Sequence, residues 1–297
     1  MAQDSGNAAA APVVAWKEVG VSMKNRLIVA AVFVPLLVII IFFLPEYIFT
    51  VAVAVICVIS TYEFLHATGH RGRERISIYS AFSAALIPVG VYFDVSALVF
   101  PTVLLIMLCL LFVEAMKSFG KKKQLTFSQI AMILFGSVII PYLLSSLIGL
   151  RKQPEGRLLV LLPMISAFVT DAGAYFSGLM FGKKPAFPLI SPKKTVEGYA
   201  GGLVTGTAAV LLYGAVIILT TMHDVSFGAL VLCGVVGAVV TELGDLAFSL
   251  IKREFEIKDY GRLLPGHGGI LDRFDSMVFA APVIWLLVSV IPVLTVL

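Results

Sequence analysis

Residues 226–275 read SFGALVLCGVVGAVVTELGDLAFSLIKREFEIKDYGRLLPGHGGILDRFD, and this stretch decides the fold. It opens with an apolar run of membrane-crossing length. Into that run Glu242, Asp245, Ser249 and Lys252 are set at intervals of three, four and three, which on a helix builds one polar stripe. Two carboxylates, a hydroxyl and an ammonium group cannot face lipid cheaply, so the stripe must face other helices or a water-filled cavity. Gly266-His267-Gly268-Gly269 then delivers Asp272 and Asp275, three apart on one helical face, to the start of the next apolar run. The stretch reads as helix, charged junction, helix.

Working outward, the whole chain carries the same signal. Its 297 residues are 59% hydrophobic and 13% charged, with a mean hydropathy of +1.01, far from soluble composition. Apolar runs of about 20 residues, enough to cross a bilayer, begin near Leu27, Tyr47, Ile78, Ser96, Phe127, Leu158, Tyr199, Ser226 and Ser276. The expected architecture is an all-α, polytopic integral membrane protein of about nine transmembrane helices. Of the 22 basic residues, all but Arg151, Lys152 and Arg157 fall in the N-terminal segment and in the loops after spans two, four, six and eight. Cytoplasmic loops carry that excess, which predicts the N-terminus in the cytoplasm and the C-terminus outside. The organisation expected is an N-terminal tail (1–25), an N-terminal membrane region (26–150, spans one to five) and a C-terminal catalytic membrane region (151–297, spans six to nine). Its cytoplasmic loops are 182–198 and 252–274.

The start of the chain lacks the basic opening of a signal peptide, and Lys24 and Arg26 precede an apolar run too long for one, so span one is expected to be retained. Cys57, Cys109 and Cys233 lie in apolar runs without CxxC spacing and read as small buried hydrophobes rather than metal ligands or disulfides. Glu63 and Glu114, near the cytoplasmic ends of spans two and four, read as interfacial charges. The chemistry is expected in the C-terminal half.

There, Asp171 sits about halfway along span six, on the face that also carries Gly178 and Gly182, two small residues that let another helix approach closely. The loop that follows holds Lys183, Lys184, Ser191, Lys193, Lys194, Thr195 and Glu197. Hydroxyls, ammonium groups and a carboxylate before a helix N-terminus suit phosphate or metal-phosphate binding, although lysines here also serve topology and lipid head groups. Asp245, Asp272 and Asp275 form an all-oxygen set, which favours Mg²⁺, with room for a second cation, over Zn²⁺. The polar stripe by itself would equally suit an ion-coupled transporter. The glycine-rich junction, and the lack of a convincing inverted repeat, argue against that reading.

Three blocks, Asp171 to Lys183, Ser191 to Gly198 and Ser249 to Asp275, resemble the phosphatidate cytidylyltransferases (CDP-diacylglycerol synthases). The last matches S-x-x-K-R-x4-K-D and H-G-G-x-x-D-R-x-D without a gap. The first five spans resemble the family only in hydropathy. The resemblance implies formation of CDP-diacylglycerol and pyrophosphate from CTP and phosphatidic acid, with Mg²⁺, at the cytoplasmic face of a bacterial inner membrane. It implies a homodimer in the lipid bilayer and no nucleic-acid partner. On that reading Asp245, Asp272 and Asp275 hold metal, with Lys252 and His267 as further catalytic candidates. Asp171, Ser191, Lys193, Lys194, Thr195, Arg253, Lys258, Gly268, Gly269 and Arg273 are candidates to bind substrate, the two glycines through backbone N–H groups. A CTP-dependent polyprenol or phytol kinase is the nearest alternative.

Overall fold

The computed structural model describes residues 23–70, 72–221, 223–263 and 268–296. The expectations placed on the tail before Met23 and on His267 lie outside the described residues. A first helix, α1, covers Met23–Phe42. Among the described residues eight helical stretches, α1 not among them, are long and apolar enough to cross a membrane by length and composition, one fewer than the nine runs expected. They begin with α2 (Glu46–Ala67), α3 (Glu74–Tyr92) and α4 (Ser96–Ser118).

The fifth run is not one regular helix. It is built from α5 (Phe127–Leu134), a π-helical turn at Phe135–Ile139, α6 (Ile140–Leu144) and α7 (Ser146–Lys152). A π turn widens the backbone and leaves a carbonyl for another partner. The Thr61 hydroxyl of α2 supplies it, donating to the Gly136 carbonyl at 2.8 Å. The absence of a side chain at Gly136 lets the Phe64 ring lie against it, since a Cβ there would collide with that ring.

A short α8 (Gly156–Leu159) leads into α9 (Leu161–Phe181). The loop predicted after it contains a small antiparallel hairpin, β1 (Pro185–Phe187) with β2 (Ser191–Thr195). The Glu197 carboxylate closes its base by accepting the Lys183 N–H at 3.1 Å and the Lys184 N–H at 3.4 Å. Then follow α10 (Val196–Thr220), β3 (His223–Val225), α11 (Phe227–Glu254), α12 (Leu271–Val290) and β4 (Leu294–Val296), with β3 and β4 paired antiparallel. The β1–β2 hairpin and the long-range β3–β4 pair are additions to an otherwise all-helical architecture.

Close helix contact depends on small residues, because lipid supplies no hydrophobic drive between helices. Gly178 of α9 lies against Gly198 of α10, and a Cβ on Gly202 would strike the Thr170 carbonyl oxygen and the Glu242 carboxylate. The face predicted from Asp171, Gly178 and Gly182 is therefore a packing face. Helix α12 touches α9 and α11 and also α2, α6 and α7, joining the C-terminal helices to the N-terminal ones. Cys57 and Cys233 are buried as expected, whereas Cys109 is exposed on the outer side of α4.

Candidate active site

Four elements bring the charged residues together. Lys194, at the end of β2, reaches the Asp245 carboxylate of α11 in an ion pair. Its ammonium group also stands 5.6 Å from the centre of the Tyr199 ring, a cation–π contact. Burial holds Lys194 below the ordinary lysine range, opposed by the nearby carboxylates of Asp171, Asp275 and Glu242. On the other side of the site, Lys252 of α11 bridges α12. Its ammonium group donates to Asp272 Oδ1 at 3.1 Å and Asp275 Oδ2 at 3.5 Å, and lies 5.4 Å from the Tyr260 ring centre. Asp171 accepts the Ser276 hydroxyl at 3.0 Å, tying α9 to α12.

The aspartates have unlike surroundings. Asp272 Oδ2 accepts the Tyr260 N–H at 2.8 Å and the Gly269 N–H at 3.0 Å, so both its oxygens are engaged and the loop before α12 is pinned to it. Among the described residues Asp275 takes only the N–H of Ser276, at 2.9 Å, besides Lys252. The Gly269 N–H, expected to be free for a phosphate, is spent on Asp272, because Gly268 turns the chain back with φ +84° and aims the next amide at that carboxylate. Asp245, Asp272 and Asp275, expected as one metal-binding set, are divided between two lysines, and among the described residues no three His, Cys, Asp or Glu side chains stand ready to hold one ion. Their hard oxygens still suit Mg²⁺, an ion usually held by one or two carboxylates plus substrate phosphates, and each acid already faces a positive charge.

A cavity of about 630 Å³ opens beside the Lys194–Asp245 pair, lined by Asp171, Ser191, Lys193, Lys194, Thr195 and Asp245 on its polar side. Ala174, Tyr175, Gly178 and Leu179 of α9 form an apolar side, and Tyr175 and Leu179 are 66% and 72% exposed. Thr195 also caps α10, accepting the Gly198 N–H at 3.1 Å. Arg253 is exposed and donates to the Ile190 carbonyl at 3.0 Å, linking the end of α11 to the β1–β2 turn. Lys258 and Arg273 are exposed.

Three residues of this region were not among the predicted site residues. Glu242 carries an oxygen that is buried with no hydrogen-bond partner among the described residues. The polar stripe had already marked it. Tyr199, one residue past Gly198, lines the cavity, and nothing in the sequence distinguishes it. Glu63, expected at the interface, is 6% exposed and accepts the Leu271 N–H at 2.9 Å. It is an interior residue, because a backbone donor 208 positions away replaces the water it would need.

The helices define a polytopic membrane protein, and the charged cavity lies against them, lined in part by residues of α9. The chain belongs to the cytidylyltransferase family, whose model matches residues 24–291. It is 39% identical over 165 residues to a phosphatidate cytidylyltransferase of Mycobacterium bovis, covering 56% of this chain and 52% of that protein. The phosphatidate cytidylyltransferase of Bacillus subtilis is 36% identical over 169 residues, 57% of this chain and 61% of its own. That of Staphylococcus saprophyticus is 40% identical over 134 residues, 45% and 50% respectively. The chain spans about half the length of the curated relatives it matches.

Proposed function

We propose that this chain is a CTP:phosphatidate cytidylyltransferase, a nucleotidyltransferase that makes CDP-diacylglycerol and pyrophosphate from CTP and phosphatidic acid. The observation that carries the reading is the cavity beside Lys194 and Asp245, whose lining combines charged groups with the exposed Tyr175 and Leu179 side chains of α9. A nucleotide needs the first and a diacyl lipid needs the second. Family membership and the names of the relatives support the same reaction.

Phosphatidate already presents an anionic phosphate oxygen, so the site does not require a strong base; it must hold two anions in line and balance their charge. Lys193 and Lys194 line the cavity, where they can neutralise phosphate, and the Ser191 and Thr195 hydroxyl residues line it with them. Lys252 keeps Asp272 and Asp275 together until substrate charge arrives. Mg²⁺ would be held by Asp275 and Asp245, with Asp272 beside them and the nucleotide's phosphates completing its oxygen shell, and it would supply charge neutralisation of the triphosphate. The bond formed joins the lipid phosphate oxygen to the α-phosphorus of CTP; the bond broken releases pyrophosphate.

The enzyme is further read as a homodimer in a bacterial inner membrane, with its site on the cytoplasmic face and its C-terminus outside. The basic loops, which include 182–198 and 252–274, support that orientation. Purified protein incubated with phosphatidate, Mg²⁺ and CTP labelled at either the α- or the γ-phosphate tests the reaction. Lipid labelled only from the α-position is expected. Lipid labelled from the γ-position would instead mean a kinase.

A further inference from the structure

The carboxylate of Glu63 belongs to α2, in the half of the chain that carries none of the predicted chemistry, yet it lies beneath the charged junction that precedes α12. It accepts the Leu271 N–H at 2.9 Å, and the backbone of Ile270 also bonds to it. Two glycines of the junction, Gly261 and Gly269, lie directly on it. A Cβ built on either would run into Glu63, and in both cases the nearest obstructing atoms belong to Glu63 alone. Neither glycine has a positive φ, so their small size is required by this carboxylate and not by backbone conformation.

The same junction is gripped from its other side. Asp272 takes the Tyr260 and Gly269 N–H groups, and the Tyr260 hydroxyl donates to the Phe248 carbonyl at 3.0 Å. The Tyr260 ring lies 5.8 Å from Phe64, the residue next to Glu63. The described ends of the junction are thus clamped between an acid of α2 below and an acid of α12 above. Helix α12, with Asp272 in its first turn and Asp275 just beyond it, starts at the amide that Glu63 holds.

We propose that Glu63 is a positioning residue: it fixes the start of α12 and the glycines before it, so that Asp272 and Asp275 face Lys252 and the substrate site. The inference rests on the cytidylyltransferase reading for its kinetic part, and on geometry alone for its structural part. It makes the N-terminal helices a component of the site and explains two glycines of the junction by one carboxylate.

The test compares the full chain in lipid nanodiscs with Glu63→Ala, Glu63→Gln, Gly261→Ala and the double variant Glu63→Ala/Gly261→Ala. Glu63→Ala is expected to lower kcat for CDP-diacylglycerol by about 10- to 100-fold, the range for residues that orient a ligand set. Its KM for CTP should stay within about threefold, since the contacts to nucleotide are not removed. Glu63→Gln keeps an acceptor for the Leu271 N–H and should recover most of the rate. Gly261→Ala should be slow by itself but add nothing to Glu63→Ala, because the obstructing carboxylate is gone. Amide hydrogen exchange at residues 269–271 should rise by about tenfold or more in Glu63→Ala and in Gly261→Ala, with α9 and α10 unchanged. Wild-type kcat with wild-type exchange in Glu63→Ala, or additive losses in the double variant, would overturn the proposal. If the wild-type chain makes no CDP-diacylglycerol, the reaction reading falls and the exchange data alone decide the clamp. If Glu63→Ala does not fold, undisturbed exchange at 269–271 in Gly261→Ala overturns the proposal.

Discussion

Acids are buried in both halves of this membrane protein, and what each half places opposite them differs. In the N-terminal half the carboxylate of Glu63 is met by backbone N–H groups at the start of α12. In the C-terminal half Asp245 and Asp275 are met by the ammonium groups of Lys194 and Lys252. A backbone amide cannot leave, so the first arrangement fixes structure. A lysine side chain can swing toward a phosphate and release its carboxylate to another cation, so the second can take part in chemistry. Asp272 does both, with one oxygen on backbone amides and the other on Lys252.

The largest effect that would break this comparison is on Asp275. Asn in its place keeps the size and an acceptor for the Ser276 N–H but removes the charge. Asp275→Asn is expected to lower CDP-diacylglycerol formation by about 1,000-fold, the scale of losing a preorganised charged group. The protein should still elute as a folded, monodisperse species in detergent. Retained turnover would mean that the charge opposite Lys252 has no part in the reaction.

Lys252→Met should come next, and its effect should divide between stability and rate. It leaves Asp272 and Asp275, both nearly inaccessible, without their counter-charge. Removing one partner of such a buried set costs about 3 to 5 kcal/mol. Thermal unfolding of the purified protein measures the loss, and raising the Mg²⁺ concentration should restore part of it, because a bound cation replaces the missing charge. A variant as stable as wild type at every Mg²⁺ concentration would show that the pair needs no cation.

Much of this was legible in the sequence because membrane burial penalises charge so heavily. Nine apolar runs, the basic loops and the stripe of Glu242, Asp245, Ser249 and Lys252 all follow from that single constraint. Asp171 stood out for the same reason. What stayed hidden are contacts that leave no mark on composition or spacing. The partner of Glu63 is a backbone amide 208 residues on, and a backbone donor looks the same in every sequence. The commitment of the Gly269 N–H to Asp272 depends on the turn at Gly268, and the π turn at Phe135–Ile139 depends on the Thr61 hydroxyl arriving from another helix. The division of three aspartates between two lysines likewise requires knowing how far β2 reaches over α11.

The smallest expected effect sharpens the comparison from the scaffold side. Thr126 begins α5 with a capping box: its hydroxyl accepts the Gln129 N–H at 3.3 Å, and the Gln129 side chain accepts the Thr126 N–H at 3.2 Å. Arg73 donates to the same Gln129 oxygen at 3.2 Å, joining α5 to the start of α3. Thr126→Ala removes one acceptor at an exposed helix end and should cost about 1 kcal/mol, the usual value for losing an N-cap. Gln129 and its bond to Arg73 remain, so the loss should stay local and kcat should stay within about twofold of wild type. A rate loss near that of Asp275→Asn would mean that α5 transmits strain through the π turn to Phe64 and Tyr260. The N-terminal helices would then act on the site by a second route besides Glu63.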